Sequence, residues 1–558
     1  MRSVGAKSPW VLLAAAVVVF AGSLFAGWHE DLAARRRYAR MDFAAPDLSQ
    51  LLNGKFCACD VSIPFDWTCK GIPLRSVCCR LNGFSFLDSA VVRYENGRDP
   101  RCAKIIHDYV MDWVSQEKNP ADGGWPWHDD ATARRVKRFS YYYCFLSELW
   151  ADEERTRIKA SLAMQAELLT QESFYKKRHN HGMFQDFGLL CYALLVCDDK
   201  ELRQRYSDLA LRRAREYFLY SFCANGVHKE HSPAYCRDVS IAALSFSKFA
   251  ELCNPEMAKN FAEYHERAKR FLTFCTLPDG RLPSVGDSSE CQSFYRQPPC
   301  EAETSAVFRD EHSGAGYAIF RSPWGVPPAK ATWILFQAAT FSSAHKHSDD
   351  LSFMLYHKGD LFVEAGNRNY NYADPMTTYV YSGYAQNVLC VDGKDFPVKT
   401  GANGFRSVPP AALKTRMTSH SIGDGCDSVT GVQERFPGIV QTRTLVWDRV
   451  KFRVRITDRL KSGRQFKATL LFHVAEGVTI EEAGAGLRLR RGGRDVAVMS
   501  FQAPPGFGVK ILRGEESADP YHTWIFRGRV SPRFGSLVIM EGDSPVGETV
   551  VATDIDLL

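Results

Sequence analysis

The chain has 558 residues, of which 45% are hydrophobic and 24% charged, so it can build large cores and is not globally disordered. That length exceeds the usual single domain, and at least two domains are expected. A formal net charge of +6 is too small to argue for nucleic acid, and no zinc-finger, RNP-type or helix-turn-helix pattern occurs, so no nucleic-acid partner is expected.

Arg2 and Lys7 precede an apolar run from Trp10 to about Trp28, which reads as a secretory signal or a membrane anchor. Ala21-Gly22-Ser23 offers small residues for cleavage, while the run is long enough to span a bilayer. Export is expected, to a periplasmic, secreted or membrane-anchored location. Residues 29–100 form a Cys-rich segment in which Cys57, Cys59, Cys69, Cys78 and Cys79 crowd together. In an exported chain that cluster reads as a disulfide-stapled subdomain.

Residues 101–300 read as a helical domain. Ile105, Ile106, Tyr109, Val110 and Trp113 mark one helix, and Phe139, Tyr143, Leu146 and Leu149 a second. Further helices follow across Ile158–Leu169, Phe187–Val196, Leu209–Phe218 and Ile241–Leu252, and short polar loops between them suggest antiparallel pairs. Pro278-Asp279-Gly280 ends this pattern. From 301 to 558 the runs shorten to strand length, as in Tyr317–Phe320, Trp333–Phe336, Val440–Val446 and Val454–Ile456. Many short strands without intervening helices predict a large antiparallel β-sandwich. No glycine-rich phosphate loop is present, which counts against nucleotide chemistry, and no organic cofactor is expected.

Within this frame, His345-Lys346-His347-Ser348-Asp349-Asp350-Leu351-Ser352-Phe353 stands out. Two His at i and i+2 on an extended segment would share one sheet face. A hairpin turn at Lys358-Gly359-Asp360 would return a second strand ending at Glu364, placing imidazoles and a carboxylate at neighbouring strand ends. Three further clusters lie upstream. Trp127-His128-Asp129-Asp130 opens a helix with acidic residues at its start. Arg178-His179-Asn180-His181-Gly182 falls in a loop between helices, and Gly226–Tyr235 is dense in titratable groups. Taken singly, each has an ordinary explanation as a cap, a turn or a charged loop.

Taken in order, they resemble the heparinase II/III-type polysaccharide lyases and related alginate lyases. The matching pieces are the WHDxATAxR helix start, the NHG loop, and the DGxxxExSxxY-like segment, where Asn225 replaces its Asp. The DGxxPxxGDS linker at Asp279–Ser288, HxHxDxLSF, the return strand and a segment like SxxAHNxV at Ser382–Leu389 complete the set. The resemblance implies an incomplete (α/α) toroid followed by the β-sandwich. It also implies β-elimination on a uronate-containing acidic polysaccharide such as heparan sulfate, alginate or exopolysaccharide.

By the same resemblance Tyr235 is the acid, and also the base where stereochemistry allows. His345 or His181 is the partner base, and Asn180 neutralises the substrate carboxylate. Arg135, Arg178, Glu230 and His231 belong to substrate binding, with Glu230 orienting its neighbours. In zinc-containing relatives the metal positions correspond to His347, Glu364 and Gln386. Here Glu364 replaces an Asp and Gln386 replaces a His, and neutral Gln is a poor zinc ligand. The expectation is therefore an altered site for one divalent ion, Zn²⁺ or Ca²⁺, or a hydrogen-bonded cluster without metal. Two other functions fit the architecture. A glycoside hydrolase would need paired carboxylates, and a non-catalytic carbohydrate-binding protein would tolerate Gln386.

Overall fold

The computed structural model describes residues 49, 51, 53–57, 59–72, 75–117, 119–295, 302–342, 344–369, 371, 373–396, 399–400, 406–407, 415–484, 486–528 and 531–558. The apolar stretch Trp10–Trp28 lies outside them. Among the described residues no helix is long and apolar enough to cross a membrane. The chain divides into two compact units, one of residues 1–220 and 243–262, the other of 221–242 and 263–558.

The first unit is helical. Asp99 caps the helix Pro100–Ser115 by accepting from the Arg101 amide, and Pro100 at its first position has no amide hydrogen left to satisfy. The face carrying Ile106, Tyr109, Val110 and Trp113 is buried, as the spacing predicts. Asp129–Leu146, Asp152–Thr170 and Asn180–Leu195 follow. The last of these is apolar nearly all round and buried along most of its length, as a central helix should be. Leu149 departs from the expected pattern. It closes a short 3-10 turn, Ser147–Leu149, and is exposed.

No disulfide joins any of the sixteen described cysteines, those of the Cys57–Cys79 cluster included. Asn82 holds this region instead, donating from Nδ2 to Trp67 O at 3.0 Å and towards Cys69 Sγ at 3.3 Å. Trp67 stacks on Phe84 beside it.

The second unit holds two large antiparallel sheets. One has eight strands in the spatial order Thr415–Ile422, Cys426–Gln433, Ile439–Asp448, Arg453–Ser462, Gly547–Leu557, Arg494–Gln502, Gly486–Arg491 and Val478–Ala483. The other runs Gly508–Arg513, Ser536–Ser544, Phe466–Val474, Asp360–Phe362, Phe353–His357, Thr332–Ala338, Gly316–Arg321 and Ser305–Arg309, with Leu389–Val391 also pairing to Phe466–Val474. Ile439–Asp448 alternates buried and half-buried residues along its whole length, the mark of a sheet with one covered face. The core between the sheets takes Phe336, Phe353 and Phe472 from one and Leu445, Ile456 and Ile555 from the other. This is the expected sandwich.

A buried ion pair fastens it. Arg443 meets Asp458 at 2.8 Å and donates to Leu351 O and Asn387 O. Asn387 in turn donates to Phe353 O and Val363 O and accepts from the His473 amide. These bonds fix the segments on either side of the candidate site.

Candidate active site

The expected strand at His345–His347 does not form. Regular pairing begins only at Phe353, and His345 lies in the left-handed region at φ +53°. The hairpin beyond it is as read, with Lys358 and Gly359 at the turn, although its return strand ends at Phe362, before Glu364. In the turn His345 and His347 converge on a carboxylate from elsewhere, Asp287. His345 Nδ1 lies 2.5 Å from its Oδ2, and His347 Nε2 lies 2.9 Å from its Oδ1. Lys346, between them, points inward to a buried network with Asp349 and Asp350, which Arg435 completes. Burial pushes the Lys346 ammonium down to about 8, against the pull of Asp350.

Tyr235 arrives on the first turn of the helix Pro233–Ala250, which Pro233 initiates. Ser232 Oγ accepts from the Tyr235 amide at 3.3 Å and bonds Ser288 Oγ at 2.8 Å. The Tyr235 ring lies nearly flat on His345, with centroids 3.9 Å apart and planes at 23°. Glu230 Oε2 lies 3.4 Å from His345 Nε2. Burial raises the Asp287 carboxyl, but hydrogen bonds from His345 and His347 and their charges outweigh it and hold the group far below the usual carboxylate range. A half-buried phenol, an imidazole and two carboxylates thus stand together, equipped for proton transfer.

His231 does not belong to the exposed part of this cluster, contrary to its expected place in substrate binding. Its Nδ1–H donates to Ala344 O at 3.2 Å and its Nε2 accepts from the Phe341 amide at 2.9 Å. Both nitrogens are spent on the backbone, and burial pushes the imidazole down to about 3. It is a neutral strut.

The first unit holds the other cluster. Asn180-His181-Gly182 is the first turn of a helix rather than a loop, and His179 caps it by accepting from the His181 amide at 3.1 Å. Gly182 is required there, since a Cβ would stand 2.2 Å from Lys176 O. His181 Nδ1 contacts Asp129 Oδ1 at 3.0 Å, and His128 Nδ1 approaches the same oxygen at 3.1 Å. Burial raises Asp129, but the bond from His181 and the two imidazole charges win and hold it at about 2. The buried Oδ1 of Asn180 has no hydrogen-bond partner among the described residues, and the residue sits at the positive end of its helix, a suitable place to meet an anion. Arg178 is exposed, with its guanidinium over the Tyr220 ring.

Arg135 is a correction to the sequence reading. It is fully buried, donates to Gln165 Oε1, Asn82 O and Pro126 O, and lies over the Trp113 ring at 4.0 Å. With its side chain shut away from solvent and bonded to the fold, it is not presented to a ligand.

The candidate metal residues also serve other partners. His347 gives Nε2 to Asp287. Glu364 accepts from Gln337 Nε2, and Gln386 donates to Val380 O at 2.9 Å. Among the described residues no group of three or more His, Cys, Asp and Glu is placed to hold a metal ion. One engaged imidazole, one carboxylate and a neutral amide do not fit zinc.

Sequence reasoning missed Asp287 and Asp129. Asp287 was visible only as part of a linker motif, and Asp129 only as a charge favouring a helix start.

Profiles of one family match nearly all of the described chain: the heparinase II/III N-terminus over residues 58–312 and the heparinase II/III-like C-terminal region over 310–553. No curated protein matches. Among solved structures, the heparan sulfate lyase HepC of Pedobacter heparinus is 15% identical with a TM-score of 0.69, covering 96% of this chain and 88% of its own. A heparinase III gene product is 14% identical with a TM-score of 0.68, covering 96% and 90%. The chondroitin lyase ODV-E66, a baculovirus envelope protein, is 11% identical with a TM-score of 0.52, covering 95% and 83%. The shared architecture is an α/α toroid plus a β-sandwich.

Proposed function

The chain belongs to the heparinase II/III family and is a polysaccharide lyase, and from that premise we propose that it cleaves a uronate-containing glycosaminoglycan of the heparan sulfate class. The observation that carries the reading is the Tyr235 phenol stacked on His345, with Asp287 behind the imidazole. Phenol and imidazole are the groups needed to move one proton off carbon and one onto oxygen.

In the proposed reaction His345 Nε2 takes the C5 proton, and the C5–H electron pair becomes the C4–C5 double bond. The C4–O bond breaks with its pair on oxygen, and that oxygen takes the Tyr235 phenol proton. Exchange with water returns the proton from imidazole to phenolate. Negative charge builds on the C5 carboxylate as the proton leaves and calls for a neutralising donor, the role that the family resemblance gives to Asn180. Where the C5 proton lies on the leaving-group side, Tyr235 serves as base as well as acid. Glu230 stands beside His345 Nε2 to steady the imidazolium once the proton has arrived, and Arg178 attracts substrate anions.

No step runs through a metal. Export is proposed on the Trp10–Trp28 stretch, and an oxidising compartment would allow pairing within the Cys57–Cys79 cluster. A panel of heparan sulfate, heparin, chondroitin sulfate, alginate and hyaluronan, followed by the near-ultraviolet absorbance of unsaturated uronate ends, tests the assignment. Fastest absorbance growth on heparan sulfate is expected. Growth only on alginate would overturn the substrate class.

A further inference from the structure

Asp287 has no part in the chemistry just described, yet its side chain is buried and each of its oxygens faces an imidazole. A carboxylate only accepts, so His345 Nδ1 and His347 Nε2 both carry hydrogen. We propose that Asp287 is a positioning residue for the elimination: it locks His345 as the Nδ1–H tautomer, flat against Tyr235, leaving Nε2 as the basic nitrogen, and it uses His347 as a brace. This deepens the lyase reading and rests on it.

The backbone around Asp287 is built for the task. At Gly286, with φ +54°, a Cβ would stand 2.6 Å from His231 O and 2.7 Å from His345 O, so the segment threads between those two chains where only glycine fits. On the other side Ser288 is fully buried. Its Oγ bonds Ser232 Oγ and accepts from the Ala234 amide at 3.2 Å, which ties Asp287 to the helix start that carries Tyr235. Asn367 Nδ2 donates to the Asp287 carbonyl at 3.2 Å.

The carboxylate therefore cannot drift, and one short segment sets the spacing of the proposed acid and base. The same clamp accounts for His345 persisting at φ +53°, a conformation a non-glycine residue adopts only when its surroundings impose it. Glu230 Oε2 is 3.4 Å from Nε2, within reach of a proton that Nε2 has taken. For His347, spending Nε2 on Asp287 leaves it a support for the first imidazole.

The test is long-range ¹⁵N–¹H spectroscopy of histidine-labelled enzyme at alkaline pH, with His345 and His347 assigned by the signals lost in His345→Gln and His347→Gln. Wild-type His345 should carry its hydrogen on Nδ1, and His347 on Nε2. Asp287→Asn can donate to Nδ1, so it should convert His345 to the Nε2–H tautomer. It should also lower kcat about a hundred- to ten-thousand-fold, with KM changed by less than about threefold.

A wild-type His345 with a bare Nδ1 overturns the proposal without any Asp287 variant having to fold. So does an Asp287→Asn enzyme whose kcat stays within about threefold of wild type, well below the effect expected for a lost tautomer. A wild-type enzyme that makes no unsaturated product from any acidic polysaccharide defeats the lyase reading instead, and the tautomer then decides the positioning alone.

Discussion

Replacing Tyr235 by phenylalanine removes one oxygen and leaves the ring that lies 3.9 Å from His345. Stacking of such a pair contributes about 0.5–1.5 kcal/mol beyond burial and survives the change, so the melting temperature should hardly move. The hydrogen bond from the Tyr235 amide to Ser232 Oγ and the helix start also survive, because Tyr235 contributes to both through its backbone. Turnover should fall about a hundred- to ten-thousand-fold, the usual worth of a general acid, which corresponds to about 3–5 kcal/mol in the barrier. The loss belongs in kcat, since the phenol proton is needed when the C4–O bond breaks rather than when substrate docks. Initial rates of alkene formation across a range of substrate concentrations separate the two constants, and a thermal melt checks the fold. A Tyr235→Phe enzyme with kcat within about threefold of wild type, far short of a general acid's contribution, would show that the phenol only packs.

Arg135→Met should act on stability rather than on binding. It strands Asn82 O, Pro126 O and Gln165 Oε1, each unsatisfied buried group costing about 1–3 kcal/mol. Chemical denaturation should show a clear loss, and a fully stable variant with only a raised KM would contradict the structural role. Asp129 is held at about 2, so it adds stability that is present above its unfolded value near 4 and lost as pH falls towards 2. Asp129→Asn should flatten the stability curve across that window, and unchanged slopes in melts between pH 5 and 2.5 would count against the His128–Asp129–His181 cluster. Purified protein dialysed against a chelator should hold no zinc by elemental analysis. One tightly retained zinc per chain would show that His347, Glu364 and Gln386 had been misjudged.

Local pattern carried most of the architecture into the sequence. The buried face of Pro100–Ser115 repeats at helical spacing, and Lys358-Gly359-Asp360 marks its hairpin through two consecutive positive-φ residues. Tyr235, His345 and Asn180 were singled out because the ordered motifs resemble a family. The remainder depends on contacts between distant segments, to which spacing is blind. The alternation at His345 and His347 imitates a strand, yet the two rings meet because Asp287 reaches both across about sixty residues of chain. Arg135 follows Arg134 in a polar-looking helix start, and only the packing of Trp113 and Trp127 around it reveals the inward face. His231 looked like one titratable group among many until its two nitrogens were found bound to the Ala344 and Phe341 backbone.

The central claim is bond cleavage by elimination, and digestion of the preferred polysaccharide in ¹⁸O-labelled water tests it most directly. Mass spectrometry of the products should show new non-reducing ends carrying a C4–C5 double bond, lighter by one water than hydrolysis products, with no ¹⁸O at the cleaved linkage. Saturated ends, with one labelled oxygen per cleavage, would show hydrolysis and contradict the account.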